Sequence, residues 1–115
     1  MQYFRIVESL QITMGKYICA RPIHPGEILK EEIEYRGIPQ VKLAAKMGMG
    51  YKELNHILNE RRPLTPATAM LFEAALGVPA DMLIGMQTDY NMRLLKQDKS
   101  FTDRLAQIRQ MTAIL

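Results

Sequence analysis

Residues 51–62 place several hydrogen-bonding side chains on one side of a predicted helix and two arginines directly after it. An apolar stripe at helical spacing marks the buried side of this helix: Leu54, Ile57 and Leu58. The polar side chains that fall outside the stripe point outward: Tyr51, Lys52, Asn55 and His56. Their amide, ammonium and imidazole groups are of the types that hydrogen-bond to the edges of bases. The pattern therefore predicts a surface that contacts nucleic acid.

Two short helices joined by a glycine turn position these side chains. The first helix is predicted to open at Pro39, because proline is favoured in the first turn of a helix. Its apolar residues recur at helical spacing: Val41, Leu43, Ala44 and Met47. The stretch from Gly48 to Gly50 then breaks the periodicity, as glycine does where the backbone needs angles closed to other residues. This layout predicts a helix-turn-helix, whose second helix enters the major groove of DNA.

The charge distribution supports nucleic-acid binding more strongly than the overall charge does. The chain has 115 residues, enough for one compact domain, and a formal charge of +3. Between Arg36 and Arg62 basic residues outnumber acidic ones, whereas the preceding helix carries a cluster of carboxylates: Glu27, Glu31, Glu32 and Glu34. We expect Glu27, Glu31 and Glu32 to form a charged surface face. The local positive excess that follows it is what phosphate binding requires.

A solvated surface is the alternative interpretation of the same residues. Without the surrounding motif, Lys42, Lys46 and Lys52 would form an ordinary solvated helical face. His56 would then have no special role, and Tyr51 would pack over the turn instead of meeting a base. The complete motif favours DNA contact.

The predicted fold class is all-α, a five-helix repressor-like helix-turn-helix domain with a C-terminal helical extension. The first helix runs from Pro25 to about Arg36, and Thr65 caps a later helix that begins at Pro66. A short fifth helix is predicted to start at Pro79. The domain boundaries follow: an N-terminal segment at 1–20 whose structure is left open, the DNA-binding domain at 21–87 and the extension at 88–115.

The extension is predicted to contain a segment at Tyr90–Leu95 and a last helix at Phe101–Met111. The last helix has a sharp apolar stripe: Phe101, Leu105, Ile108 and Met111. Such a face must be buried against the domain, a second subunit or a partner.

The sequence does not predict catalysis, a cofactor or a metal site. The two histidines and the single cysteine have no recognisable ligand spacing, and His24 is expected to fix the entry to the first helix. One cysteine, Cys19, suits a reducing compartment, and no apolar run approaches the length of a membrane span. We therefore expect a cytoplasmic protein.

Four motifs resemble the HigA family of antitoxins, within the Cro/repressor class of helix-turn-helix proteins. They are HPGEIL at 24–29, LAAKMG at 43–48, LNHILNERRPLTP at 54–66 and ALGVPADMLIGMQ at 75–87. The resemblance covers residues 22–92. It implies an antitoxin that neutralises a small ribosome-dependent mRNA-cleaving toxin, represses its own operon and binds a palindromic operator as a homodimer. A free-standing repressor, or an interaction module that has lost DNA binding, would be the alternatives.

The resemblance also implies roles for individual side chains. Gln40 would hold a phosphate, Lys52 would read guanine, and Asn55 would pair with an adenine edge. Tyr51 and His56 would face the major groove beside them. Further contacts are expected from Glu53, which could accept from a cytosine amine, and from residues that would meet phosphate or the minor groove: Asn59, Arg61 and Arg62.

The chain departs from the family pattern at two positions. Gly50 stands where a serine or threonine cap is usual, and Glu60 stands where glycine is common. The first change should cost only a few tenths of a kcal/mol, because glycine is itself tolerated as an N-cap. The second places a negative charge near DNA.

Overall fold

The computed structural model describes residues 22–114, which form six helices and, within this range, no strand. The helices are α1 (Pro25–Arg36), α2 (Gln40–Met47), α3 (Tyr51–Leu58), α4 (Pro66–Leu76), α5 (Ala80–Gln97) and α6 (Lys99–Thr112). The prediction of an all-α helix-turn-helix fold with a C-terminal helical extension is confirmed. The expectations for residues 1–20 lie outside the described residues.

Local capping chemistry sets the ends of the helices, as the sequence predicts. The His24 side chain accepts a hydrogen bond from the Gly26 N–H at 2.9 Å, so this histidine does fix the entry to α1. Gly37 ends α1 in the left-handed conformation, with φ of 67°. Thr65 caps α4 by accepting from the Thr68 N–H.

The turn between α2 and α3 is built on glycine. Gly48 has φ of 68°, and its N–H donates to the Ala45 carbonyl as α2 ends. Pro39 occupies the N-cap position, so α2 begins one residue later than predicted, at Gln40. Gly50 is the N-cap of α3 and supplies no side-chain acceptor, which matches its departure from the usual serine or threonine.

One core holds the first five helices together. Its largest fully buried apolar side chains come from four of these helices: Leu29, Ile33, Leu54, Ile57, Leu58, Phe72 and Leu83. The start of α1 lies directly against the end of α3, where an added Cβ at Gly26 would fall 2.1 Å from the Ile57 carbonyl oxygen. This close approach fixes α3 on its buried side and leaves the opposite side exposed.

The expectation that Glu32 belongs to a charged surface face is wrong. Glu32 is fully buried, and its carboxylate accepts from the Arg36 guanidinium at 2.5 Å. Arg36 also donates to the Leu76 carbonyl at 2.9 Å, which ties α1 to α4. Position 32 lies three and four residues after Leu29 and Ile28, so it falls on the inward face of α1.

The expectation of a short helix at Pro79 and a separate segment at Tyr90–Leu95 is also wrong. Both belong to α5, a single helix that continues without a break through the boundary expected at residue 87. Helix α6 contacts α5. On α6, Phe101 and Leu105 are half-buried, whereas Ile108 and Met111 are exposed. Within the described residues, the apolar stripe of α6 is therefore not buried in the domain.

Candidate nucleic-acid interface

The exposed side of α3 carries the four polar residues that the sequence predicts for it. Lys52 is exposed and Tyr51 is 48% exposed, while Asn55 and His56 are half-buried. The helical repeat of 3.6 residues places these four positions on one face, opposite the buried Leu54. The arrangement presents hydrogen-bonding groups along one helix, as major-groove contact requires.

A hydrogen bond joins α3 to the start of α2. The Asn55 side-chain amide donates to Gln40 Oε1 at 3.2 Å. Two residues to which the family resemblance gives different parts of a DNA contact are thus adjacent. The bond uses one of the two N–H donors of Asn55, whereas pairing with an adenine edge needs one N–H and the carbonyl.

Asn59 is held by the protein at the end of α3. Its Oδ1 accepts from Lys30 Nζ at 3.0 Å, and its Nδ2 donates to the Asn55 backbone carbonyl at 2.9 Å. Lys30 was not a sequence candidate, because a pair 29 residues apart leaves no local signal. These contacts anchor the end of α3 to α1.

The chain turns at Glu60, the only non-glycine residue in 22–114 with a positive φ, which is 64°. The Glu60 N–H donates to the Ile57 carbonyl, and the Arg61 N–H donates to the His56 carbonyl at 2.8 Å. This pair of bonds is a Schellman motif, in which the residue at the Glu60 position is usually glycine. A non-glycine residue is strained in this conformation.

Arg61 and Arg62 follow this turn and are exposed. Arg62 Nη1 lies 3.7 Å from Glu53 Oε1, with both side chains about half exposed. Glu53 therefore lies beside an arginine at the edge of the α3 face. We call residues 60–64 the arginine loop.

The arginine loop rests on α5 and on the start of α1. The Leu64 N–H donates to the buried Gln87 side chain at 2.8 Å, and the Tyr90 ring meets the His24 ring edge-on at 5.0 Å. Burial lowers the pKa of His24 below the usual value of 6.5, and a hydrogen bond with the Arg62 backbone acts in the opposite direction. Gln87 and Tyr90 were not sequence candidates. The only available signal was a polar residue, Gln87, directly after the inward-facing Met86.

Known proteins resemble this chain in sequence and fold. The helix-turn-helix family model matches residues 29–83. Virulence-associated protein I of Dichelobacter nodosus is 36% identical over 78 residues, which are 67% of this chain and 72% of that protein. A HigA-family addiction module antidote protein from Coxiella burnetii is 29% identical, with a TM-score of 0.65 over 73% of this chain and 94% of that one.

The chain belongs to the HigA family. A further member, the Pseudomonas aeruginosa antitoxin HigA, has been solved with the higBA promoter. It is 25% identical to this chain, with a TM-score of 0.64, and the match covers 78% of this chain and 94% of that one.

The positive φ at Glu60 is a conformation that suits glycine better than glutamate. Glycine, which the family resemblance leads us to expect at this position, adopts left-handed angles without strain. This HigA-family chain places a carboxylate on the turn, next to the exposed Arg61. The structure thus combines a strained residue and a negative charge at the edge of the α3 face.

Between residues 22 and 114, no three or more histidine, cysteine or acidic residues are grouped so as to hold a metal ion. None of the helices that the structure describes has the length and apolar character to cross a membrane.

Proposed function

We propose that this protein is the antitoxin of a toxin–antitoxin module. It neutralises a small basic mRNA-cleaving toxin, represses its own operon through double-stranded DNA and works as a homodimer in the cytoplasm, without catalysis of its own. The observation that carries this proposal is the polar face of α3 with the arginine loop at its end, in a chain of the HigA family. The related Pseudomonas aeruginosa antitoxin HigA, solved with the higBA promoter, supports the same assignment.

The proposed DNA contact separates into two groups of residues. Lys52 and Asn55 read guanine and adenine edges from the centre of the α3 face, with Tyr51 and His56 beside them and Glu53 at the margin. The second group meets the backbone: Gln40, Asn59, Arg61 and Arg62. Phosphate contacts fix the register of the protein, whereas base contacts specify the sequence.

The proposed division of the chain assigns DNA contact to 21–87 and protein contact to 88–115. Exposed apolar side chains support a protein contact in the second part: Met92, Leu94, Leu95, Ile108 and Met111. We propose that this surface pairs two protomers on a palindromic operator. Ile108→Lys should then shift the sedimentation coefficient from the value of a dimer to that of a monomer. Gln107→Lys, an exposed neighbour, is the matched control and should leave the dimer intact.

Salt dependence tests the DNA contact. Fluorescence anisotropy with a duplex from upstream of the gene for this protein would measure affinity at increasing salt. If a dimer neutralises about 6–10 phosphates, affinity should fall by about three to five decades between about 50 and 200 mM salt. An affinity that does not change with salt concentration, or no binding at all, would contradict a DNA-binding function.

Recovery of a partner tests the toxin contact. The tagged protein would be purified from its native cell at moderate salt, and the co-purifying proteins identified by mass spectrometry. A small basic partner in near-stoichiometric amount would support the antitoxin assignment. Recovery of the protein alone, still able to bind its own promoter, would favour a free-standing repressor instead.

A further inference from the structure

We propose that Gln87 in α5 is a positioning residue for DNA binding, which acts by holding the arginine loop from behind. The inference rests on the proposed function, because it concerns how Arg61 and Arg62 reach phosphate. Gln87 is 5% exposed and lies behind the loop, so it is not expected to touch DNA itself.

The side-chain amide of Gln87 is fixed at both ends. Its Oε1 accepts from the Leu64 N–H at 2.8 Å, and its Nε2 donates to Asn91 Oδ1 at 3.0 Å. A flipped amide would point an N–H donor at the Leu64 N–H, so the Asn91 contact sets the orientation that the loop needs. A buried glutamine with both groups paired is a rigid support for the backbone at residue 64.

A second support holds the loop two residues earlier. The His24 ring accepts from the Gly26 N–H through Nδ1 and also has a hydrogen bond with the Arg62 backbone. Since Nδ1 is the acceptor, Nε2 carries the proton of the neutral ring and donates to the Arg62 carbonyl. The edge-on Tyr90 ring, from the next turn of α5 after Gln87, limits movement of this imidazole.

The two supports and one proline fix the backbone that carries the arginines. Pro63 lies between the supported residues 62 and 64, and its ring restricts φ. Leu64 is buried, whereas the Arg61 and Arg62 side chains are exposed. The loop is therefore ordered when the protein folds, so DNA binding does not have to order it. Removing the Gln87 acceptor should release residues 61–64 and reduce the phosphate contacts.

The test replaces Gln87 with methionine, which has a similar shape and no carbonyl acceptor. DNA affinity would be measured by fluorescence anisotropy, well below the melting temperature of every variant, on the promoter duplex and on a random duplex of equal length. We expect Gln87→Met to weaken binding to both duplexes by about tenfold. The slope of log affinity against log salt concentration should become shallower by about 1 per protomer. Gln97→Met, at the exposed end of the same helix, is the matched control and should bind like the unmodified protein.

A double-mutant cycle separates positioning from a general structural effect. In a chain that already carries Arg61→Ala and Arg62→Ala, Gln87→Met should cost little more affinity, because the groups it positions are gone. In a Lys52→Ala background its cost should remain in full. Equal costs in both backgrounds, or a loss confined to the promoter duplex, would overturn the inference.

A second variant keeps the test decisive if Gln87→Met does not fold. Asn91→Ala removes an exposed side chain that orients the Gln87 amide. It should weaken binding to both duplexes by about threefold. Unchanged affinity would overturn the inference. Failure of the unmodified protein to bind any DNA would instead contradict the proposed function, so the two failures are distinguishable.

Discussion

The side-chain amide of Asn55 in α3 donates to the side-chain oxygen of Gln40 in α2, with 3.2 Å between Nδ2 and Oε1. A residue proposed to read a base is thus oriented by a residue proposed to hold a phosphate. The register set by the backbone contact and the direction of the base-reading amide are therefore linked through one hydrogen bond.

This link predicts a mixed effect for Gln40→Ala. Asn55→Ala should cost about 1–3 kcal/mol of discrimination at one base-pair position. Gln40→Ala should weaken binding to all sequences and also reproduce part of that loss, because Asn55 loses the acceptor that orients it. Affinities for the operator and its single-base variants would measure both effects.

Arg61→Ala is the comparison for Gln40→Ala. It should weaken binding to all DNA sequences alike and lower the salt dependence of the affinity by about 1 in the log–log slope. If Gln40→Ala behaves in the same uniform way, the Gln40–Asn55 hydrogen bond has no part in base reading.

Glu60→Gly should improve both stability and DNA affinity. Glycine relieves the left-handed strain, and we expect the free energy of unfolding to rise by about 1 kcal/mol. Loss of the carboxylate removes repulsion from phosphate. Urea unfolding and anisotropy would measure the two gains.

Glu60→Gln separates these two causes. It removes the charge but keeps a side chain at φ of 64°, so affinity should rise without a gain in stability. A stability gain equal to that of Glu60→Gly would contradict the assignment of strain to this turn.

Glu32→Ala should strongly destabilise the fold. It leaves the Arg36 guanidinium, whose side chain is 10% exposed, without its carboxylate partner. Breaking a buried ion pair in this way costs about 3–5 kcal/mol. Urea unfolding would measure the change, with the exposed Glu31→Ala as control, expected to change stability by less than about 0.5 kcal/mol. Similar results for the two variants would place Glu32 at the surface.

Gly26→Ala and Gly85→Ala should have opposite effects. At Gly26 the new methyl group would lie 2.1 Å from the Ile57 carbonyl oxygen, so α1 and α3 must separate, at a cost of about 3 kcal/mol. At Gly85, inside α5, the methyl group meets nothing within 4 Å, and stability should rise by about 1 kcal/mol. Thermal unfolding would compare them. A neutral Gly26→Ala would mean that the two helices are not in close contact.

The buried His24 should make stability depend on pH. Its pKa is lowered in the folded state, so the unfolded chain binds the proton first as the pH falls. The stability that the fold gains from the neutral His24 ring is therefore fully present above pH 6.5, and it is lost as the pH falls below that value. Urea unfolding between about pH 8 and about pH 5 would measure this decline.

His24→Asn is the matched variant for this pH effect. Asparagine keeps a side-chain acceptor at the N-cap of α1 but does not titrate in this range. The decline below pH 6.5 should be smaller in the variant than in the unmodified protein. Parallel pH profiles would show that His24 titrates alike in both states.

Local signals in the sequence account for most of the fold. The caps at His24 and Thr65 and the left-handed Gly48 depend on neighbouring residues, and each was predictable from a short stretch of chain. The apolar stripe of α3 likewise separated Leu54 from the exposed Lys52.

Contacts between distant residues could not be predicted in the same way. Gln87 pairs with a backbone group 23 residues away, and Arg36 reaches a carbonyl 40 residues away. Glu32 was misplaced because a carboxylate in a charged stretch is usually solvated, and only its register with Leu29 indicated burial. The length of α5 was missed because no local signal marks its continuation past residue 87.

Because α5 is one continuous helix, a rotation of one part of it also moves the other part. The middle of α5 faces the arginine loop through Gln87 and Tyr90, and the turns that follow carry the exposed Met92 and Leu95. A protein that rotates the outer end on binding must also move the support behind Arg61 and Arg62. By thermodynamic reciprocity, DNA that favours one orientation of α5 changes the affinity for that protein by the same factor.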